Sequence, residues 1–356
     1  MHPPLNLFSA VEKDWISTYS KRLGGMTLKK VDLDEQLIHG VISLEKRKGY
    51  IKPWRINYKD KDFYTPDQLN GQAEVPAGVR ISIFSNTEKI KLEIEPSNSC
   101  LEFDIVIDDE LFRTYVLKEN ETILEVEDLP SNNKKIEIYL SQREKVALKT
   151  LWIEENAEWH RFSDSRKKWI TYGSSITQCH AAESPSQTWP AITAKKLNAN
   201  LICLGFSGEC QYEPMIARLI RDTPADFISL NASINTYNAA TYNHRTFQAM
   251  VIGFIKIIRE KQKAVPIVLS SSIFGVHREE TKNLVGFTLT QMRSEVKEAV
   301  DILRKNGDKQ IFYVNGLDIL GAEHLHLLPD HLHPNSAGYK MMGENFASAF
   351  TPYFPT

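Results

Sequence analysis

Five residues carry the groups that acyl transfer at a serine requires: Ser175, Gly208, Asn235, Asp330 and His333. A serine hydroxyl is a weak nucleophile until a base takes its proton. Histidine is the usual base near neutral pH. A carboxylate on its second ring nitrogen fixes the tautomer and stabilises the imidazolium. Asp330 and His333 are close enough in sequence for one loop to carry both. Pro334 disfavours helical backbone at His333, so that loop is expected to be extended. The oxyanion of an acyl-transfer intermediate needs donors already in place. The amides of Ser175 and Gly208 and the side chain of Asn235 are suited to that task.

Each residue also has an ordinary structural reading. Gly173-Ser174-Ser175 is a common context for a helix N-cap. Gly208 could be a turn glycine, and Asn235 a loop cap. Only the ensemble favours catalysis. Asn231 and Asn238 are read as structural. His324, His326, His331 and His333 crowd one segment with Asp330 and could instead bind a metal. A metal-dependent hydrolase leaves the serine, glycine and asparagine without a role, so neither metal nor cofactor is expected. His160, His180, His244 and His277 are assigned to the surface, with His180 close enough to Ser175 to border a pocket. Cys179 and Cys210 are expected to pack as small hydrophobes. Ser207, in Gly205-Phe206-Ser207-Gly208-Glu209, lacks the second glycine of a nucleophile elbow, which disfavours an α/β-hydrolase.

The elements that would position these residues are legible from residue 169 onward. Short apolar runs at 169–172, 201–204, 227–230, 266–269 and 311–314 read as strands of a parallel sheet buried on both faces. Helical spacing links Phe247, Val251, Phe254, Ile255 and Ile258, and again Val285, Leu289, Met292, Val296, Val300 and Leu303. This predicts a doubly wound, flavodoxin-like α/β domain. Ligands of such sheets bind beyond the carboxyl ends of the strands. Gly173-Ser174-Ser175, Gly205–Glu209 and Asn231–Asn235 follow the first three strands, and Asp330–Asn335 follows the last.

The first half has a different period. Val79, Ile81 and Ile83 alternate with polar residues, as do Ile90, Leu92 and Ile94, then Phe103, Ile105 and Ile107, then Ile136, Ile138 and Leu140. Period two with one polar face describes half-buried antiparallel strands. With turn clusters between them, the expectation is a jelly-roll-like β-sandwich. The domains are read as 1–160, an accessory β-sandwich, and 161–356, the α/β domain. Trp54, Tyr50 and Tyr64 could stack on sugar rings, though packing is the favoured role.

Composition excludes several classes. The chain has 356 residues, 42% hydrophobic and 25% charged, as expected for a folded globular protein rather than a disordered one. It contains no apolar run long enough for a membrane span. A net charge of −2 supplies no field for nucleic acid. Cys100, Cys179, Cys203 and Cys210 form no CxxC pair and are expected to be free thiols. The start, Met1-His2-Pro3-Pro4-Leu5-Asn6, lacks the basic and apolar regions of a secretory leader, and a cytoplasmic location is expected. A homo-oligomer is neither required nor excluded.

Here the sequence resembles the SGNH hydrolases, the GDSL-type esterases and lipases. Gly-Ser-Ser-Ile-Thr at 173–177 is similar to their nucleophile block. Leu-Gly-Phe-Ser-Gly at 204–208 is similar to their glycine block. Ser-Ile-Asn at 233–235 is similar to their asparagine block, and Asp-His-Leu-His-Pro-Asn at 330–335 to their Asp-x-x-His-Pro block. The resemblance covers about half the chain and points to the subset with an N-terminal β-sandwich. It implies Ser175, Asp330 and His333 as catalytic triad, and Ser175, Gly208 and Asn235 as oxyanion hole. The family aspartate is replaced by Ser174, its glycine by Ser233 and a further aspartate by Thr236. None of these changes removes a catalytic group. The implied activity is a serine esterase on short-chain, acetyl-type esters of small molecules or carbohydrates. The alternatives are an acyltransferase to a hydroxyl acceptor and a carbohydrate-binding protein without catalysis.

Overall fold

The computed structural model describes residues 21–23, 26–231 and 234–355. The opening Met1–Asn6 segment and Ser233 lie outside the described residues. Two antiparallel sheets come first. One has seven strands among the described residues, with Leu148–Glu154 paired to Met26–Val31, Tyr50–Trp54 and Ile90–Ile94. The other has six, with Lys134–Tyr139 between Arg80–Ser85 and Leu101–Ile107. The register aligns the branched residues: Ile138 lies opposite Ile81 on one side and Ile105 on the other. These isoleucines share a buried cluster with Leu92, Ile94 and Phe103 of the two sheets.

Alternation alone implies a solvated polar face on these strands. The six-stranded sheet departs from this. Arg80, Ser82, Asp104 and Glu137 are each at most 1% exposed. The α/β unit covers them. The Arg80 guanidinium donates to Glu137 and to the Asn200 side chain, both at 2.9 Å. Burial raises the Glu137 carboxyl, but the charges of Arg80, Lys135 and Arg166 outweigh it and hold the group below the usual carboxylate range. Asp104 accepts from the Ser184 hydroxyl at 2.6 Å and from the Ser186 amide and hydroxyl at 2.7 and 2.6 Å.

The parallel sheet has five strands in the order Ala199–Gly205, Lys167–Gly173, Phe227–Asn231, Ile267–Ser270 and Ile311–Val314. All its pairs are parallel. Helices Trp189–Lys196 and Ser336–Phe350 pack together, and Phe247–Arg259 packs on Pro214–Asp222 and on Leu289–Lys305. The fold is thus a doubly wound α/β unit preceded by paired antiparallel sheets. The second long helix starts at Leu289, later than its periodicity suggests. Val285 lies in a turn, Gly286 takes φ +88°, and Thr288 with Gln291 forms a capping box.

The last antiparallel strand is Trp159–Arg161 and the first parallel strand is Lys167–Gly173. We propose the division 1–160 and 161–356, which falls one residue before the end of that last antiparallel strand. The packing is not so divided, because Trp54, Ile56, Tyr64, Leu69, Ala73 and Ala77 belong to the hydrophobic cluster of the α/β unit. Among the described residues, no helix is long and apolar enough to cross a membrane.

Candidate active site

The sheet order changes direction at the Lys167–Gly173 strand, whose end Gly173 is paired with both Gly205 and Asn231. A crevice opens at such a switch point. Ser174 follows Gly173 and caps the one-turn helix Ser175–Gln178, its hydroxyl accepting from the Ile176 amide at 3.3 Å. The cap is therefore Ser174, not Ser175. The neighbouring serine takes the capping role and leaves the Ser175 hydroxyl available. The helix stops after one turn because Cys179 is left-handed, at φ 61°, and the Trp189 indole takes the Ile176 carbonyl at 2.8 Å.

The Ser175 hydroxyl lies 2.8 Å from His333 Nε2. On the other side of that ring, Nδ1 lies 2.6 Å from Asp330 Oδ2. Asp330 Oδ1 accepts the backbone N–H of His333 at 2.6 Å and of Leu332 at 3.0 Å. Burial raises the Asp330 carboxyl, but these hydrogen bonds outweigh it and hold the group below the usual range. An ionised Asp330 keeps the proton on Nδ1 and leaves the Nε2 lone pair facing the hydroxyl. Asn335 then caps the last helix through the Gly338 amide at 2.9 Å, which fixes the far end of the loop.

The other two residues come from neighbouring strand ends. Gly205 must be glycine, since a Cβ there would lie 2.4 Å from the Gln178 nitrogen. This brings the 206–210 turn against the nucleophile helix. Gly208 sits in that turn at φ +78°, a conformation that glycine adopts without strain. Asn235 is 8% exposed, and its side-chain oxygen accepts the Cys210 amide at 3.1 Å. With the oxygen so occupied, the NH2 end is the part of the side chain left to act as a donor toward substrate. The structure thus brings the sequence-derived set Ser175, Gly208, Asn235, Asp330 and His333 to one edge of the sheet.

Other readings fare differently. Among the described residues, no group of three or more His, Cys, Asp or Glu side chains could hold a metal. The crowded histidines split up: His324 lies beside His326 and 3.1 Å from Glu323, while the His331 ring lies beside His277. Trp54 and Tyr64 are 4% and 3% exposed, so they pack rather than present faces to a sugar. Tyr50 stays half-buried on a groove shared with His180 and Ser207. His160, His180, His244 and His277 are exposed. Cys179, Cys203 and Cys210 are buried free thiols, pushed up by burial, and Cys100 is exposed. Asn231 donates to Thr171 at 3.1 Å.

Sequence reasoning missed the supports. Gln178 accepts the Ser207 amide at 3.0 Å. Glu213 accepts the Gln211 amide at 3.1 Å and the Tyr172 hydroxyl at 2.9 Å, beneath the same turn. Arg143 reaches from the antiparallel part to the carbonyls of His180 and Ala182 at 2.8 and 2.7 Å. Arg55 is wholly buried behind Gly205. The structure buries the whole run Pro53–Ile56, and a cation in such a run needs partners, but the sequence carries no signal of that burial.

Residues 166–352 match the model of the GDSL-like lipase/acylhydrolase family. Residues 37–149 match the model of the SsfX3 N-terminal domain. Among solved structures, the chain is similar to the salicylyl-acyltransferase SsfX3 from a tetracycline biosynthetic pathway. The two share 29% identity and a TM-score of 0.86, over 94% of this chain and 100% of the other. A structure described as a GDSL-like lipase, from Bacteroides ovatus, is 20% identical with a TM-score of 0.74, over 92% and 98%. The acetyl xylan esterase Est2A of the rumen bacterium Butyrivibrio proteoclasticus is 14% identical with a TM-score of 0.61, over 93% and 100%, and shares the fold. No curated protein matches the chain significantly.

Proposed function

The chain belongs to the GDSL-like lipase/acylhydrolase family, and we propose that it is a serine esterase acting on short-chain, acetyl-type acyl esters. The observation that carries this reading is the line Ser175 Oγ–His333–Asp330, with contacts of 2.8 and 2.6 Å. Ser175 attacks the acyl carbon and its proton passes to His333 Nε2. The carbonyl oxygen becomes an oxyanion held by the amides of Ser175 and Gly208 and the NH2 of Asn235. Collapse breaks the ester bond, and His333 returns the proton to the leaving alcohol. Water then attacks the acyl-enzyme, again losing its proton to His333, and frees the acid and Ser175.

For the alcohol part we propose a small polyhydroxylated molecule or carbohydrate. A groove bordered by Tyr50, Lys52, Glu95, Arg143, His180 and Ser207 runs from the glycine turn over the antiparallel part. Its charged and hydroxyl groups suit a molecule with many hydroxyls better than a hydrocarbon. A second reading is favoured by the likeness to a salicylyl-acyltransferase over nearly the whole chain. In it, an acceptor hydroxyl replaces water in the second step.

The test is hydrolysis of a chromogenic acetyl ester by wild type and Ser175→Ala, with fluorophosphonate labelling mapped by mass spectrometry. Activity lost in the variant, with the label on Ser175, supports the reading. Activity retained by Ser175→Ala overturns it. Adding sugar and alcohol acceptors, and following acylated acceptor against free acid, separates hydrolysis from transfer.

A further inference from the structure

We propose that Arg55, supplied by the antiparallel part of the chain, is a positioning residue for the turn that presents the Gly208 amide. The inference rests on the reading of Ser175 as nucleophile and deepens it. Arg55 is 0% exposed and has no carboxylate partner among the described residues. Its donors end instead on oxygens of uncharged groups. Nε donates to Val75 O at 2.6 Å, and Nη2 to Gln72 O at 2.6 Å and Gln178 Oε1 at 3.4 Å. Nη1 donates to Cys203 O at 3.1 Å and Gly205 O at 2.5 Å. An apolar residue could fill the same interface without the cost of burying an unpaired cation. The guanidinium is a rigid planar fork that can hold several acceptors in fixed directions.

Val75 and Gln72 anchor the guanidinium in the antiparallel part, and the other three acceptors lie at or beside the glycine turn. Gly205, Phe206 and Ser207 are the residues immediately before Gly208. Gly205 is bonded to Arg55, and the Phe206 ring lies 5.0 Å from its guanidinium carbon. Ser207 is held through Gln178, whose oxygen faces both Arg55 and the Ser207 amide. Gln72 takes the opposite end of the Gln178 amide at 3.0 Å and so fixes which end faces the turn. Arg55 therefore grips the turn directly at its root and indirectly one residue short of Gly208. An oxyanion donor works only when aimed at where charge will develop. The antiparallel part is on this view a component of the catalytic apparatus rather than an appendage.

The experiment uses full-length Arg55→Met, Arg55→Lys and Gln178→Met. Gln178→Met releases Ser207 while leaving the buried arginine in place, so it reads the inference even if Arg55→Met folds poorly. Arg259→Met serves as the control. That arginine also spans three carbonyls, of Gln262, Val265 and Gln310, at the opposite edge of the sheet, and differs from Arg55 in pairing with a carboxylate, Asp308, at 2.7 Å. Three readouts are taken: melting temperature, kcat and KM on the chromogenic ester, and deuterium uptake of the 204–211 peptide. The expected result is a fall in kcat of about 10- to 100-fold, less than the loss of a whole donor. KM should stay close to wild type, and uptake at 204–211 should be faster. Arg55→Lys should not rescue, and Arg259→Met should lose stability alone.

The inference is overturned if folded Arg55 and Gln178 variants keep wild-type kcat, whatever the uptake. It is equally overturned if Arg259→Met loses kcat in step with them. If wild type shows no serine-dependent activity, the esterase reading falls by itself. Deuterium uptake then decides whether Arg55 orders the turn, and unchanged uptake overturns that too.

Discussion

Asp330 grips His333 at two points: Oδ2 lies 2.6 Å from the ring Nδ1, and Oδ1 accepts the backbone N–H of the same residue at 2.6 Å. The carboxylate thus sets both the ring's tautomer and the backbone that carries it. Asp330→Asn should lower kcat by about 10²–10⁴-fold with KM nearly unchanged, because the amide favours the wrong tautomer. Steady-state kinetics on the chromogenic ester checks this.

The same carboxylate has a pH signature. Burial raises its pKa and the His333 and Leu332 hydrogen bonds lower it further, so the folded value is depressed. The stability it contributes is present above its unfolded value of about 3.9 and is lost as pH falls through the folded value. Wild type should melt above Asp330→Asn at neutral pH, and the gap should close in acid below about pH 4. Melting curves across pH measure it.

Asn235→Ala should reduce kcat by about 10²–10³-fold, the usual cost of one oxyanion donor. KM should move little. Gly208→Ala adds a methyl group where nothing obstructs it but at φ +78°. The penalty is conformational, on the order of 1–2 kcal/mol, and should appear as a lower melting temperature together with reduced kcat.

Glu213 makes stability fall as pH rises. Burial raises its carboxyl to about 7, against the lowering effect of the hydrogen bonds from Tyr172 and Gln211. Between the unfolded value, about 4.3, and pH 7 the folded state holds a proton that the unfolded chain has released. Stability therefore declines across that window and levels off above it. Glu213→Gln should flatten the decline, as read by denaturant titrations at several pH values.

Asp104 ties the Leu101–Ile107 strand to the 184–186 turn through two hydroxyls and one amide. Asp104→Ala leaves those donors unmatched inside a buried contact. A loss of about 2–4 kcal/mol is expected, since charge-assisted hydrogen bonds each contribute about 1.5–3 kcal/mol. Urea unfolding followed by tryptophan fluorescence measures it.

Periodicity and block order made much of this molecule legible. The five apolar runs became the five parallel strands, and the blocks that follow the first three strands, together with Asp330–Asn335, sit at one edge of that sheet. What stayed hidden has a common cause. Arg80, Asp104 and Glu137 occupy polar positions of alternating strands, and alternation cannot distinguish water from a neighbouring unit as the thing that faces them. Arg55 and Gln178 are similarly silent because their partners are backbone oxygens and amides, which every residue possesses. The start of the Leu289–Lys305 helix was misplaced because Val285 matched the apolar spacing, while the Thr288–Gln291 box, a local signal, decided the boundary.

Two of the carbonyls that receive Arg55, those of Cys203 and Gly205, lie 148 and 150 residues further along the chain. At translation rates of about 5–20 residues per second, they leave the ribosome roughly 7–30 s after it. Throughout that interval Trp54, Ile56 and Tyr64 have no α/β core to enter. The antiparallel sheets can form early, but this stretch must wait unburied beside them. It is thus the part of the nascent polypeptide where chaperones would first find an apolar handle, and where a destabilising change would be felt during synthesis rather than after it.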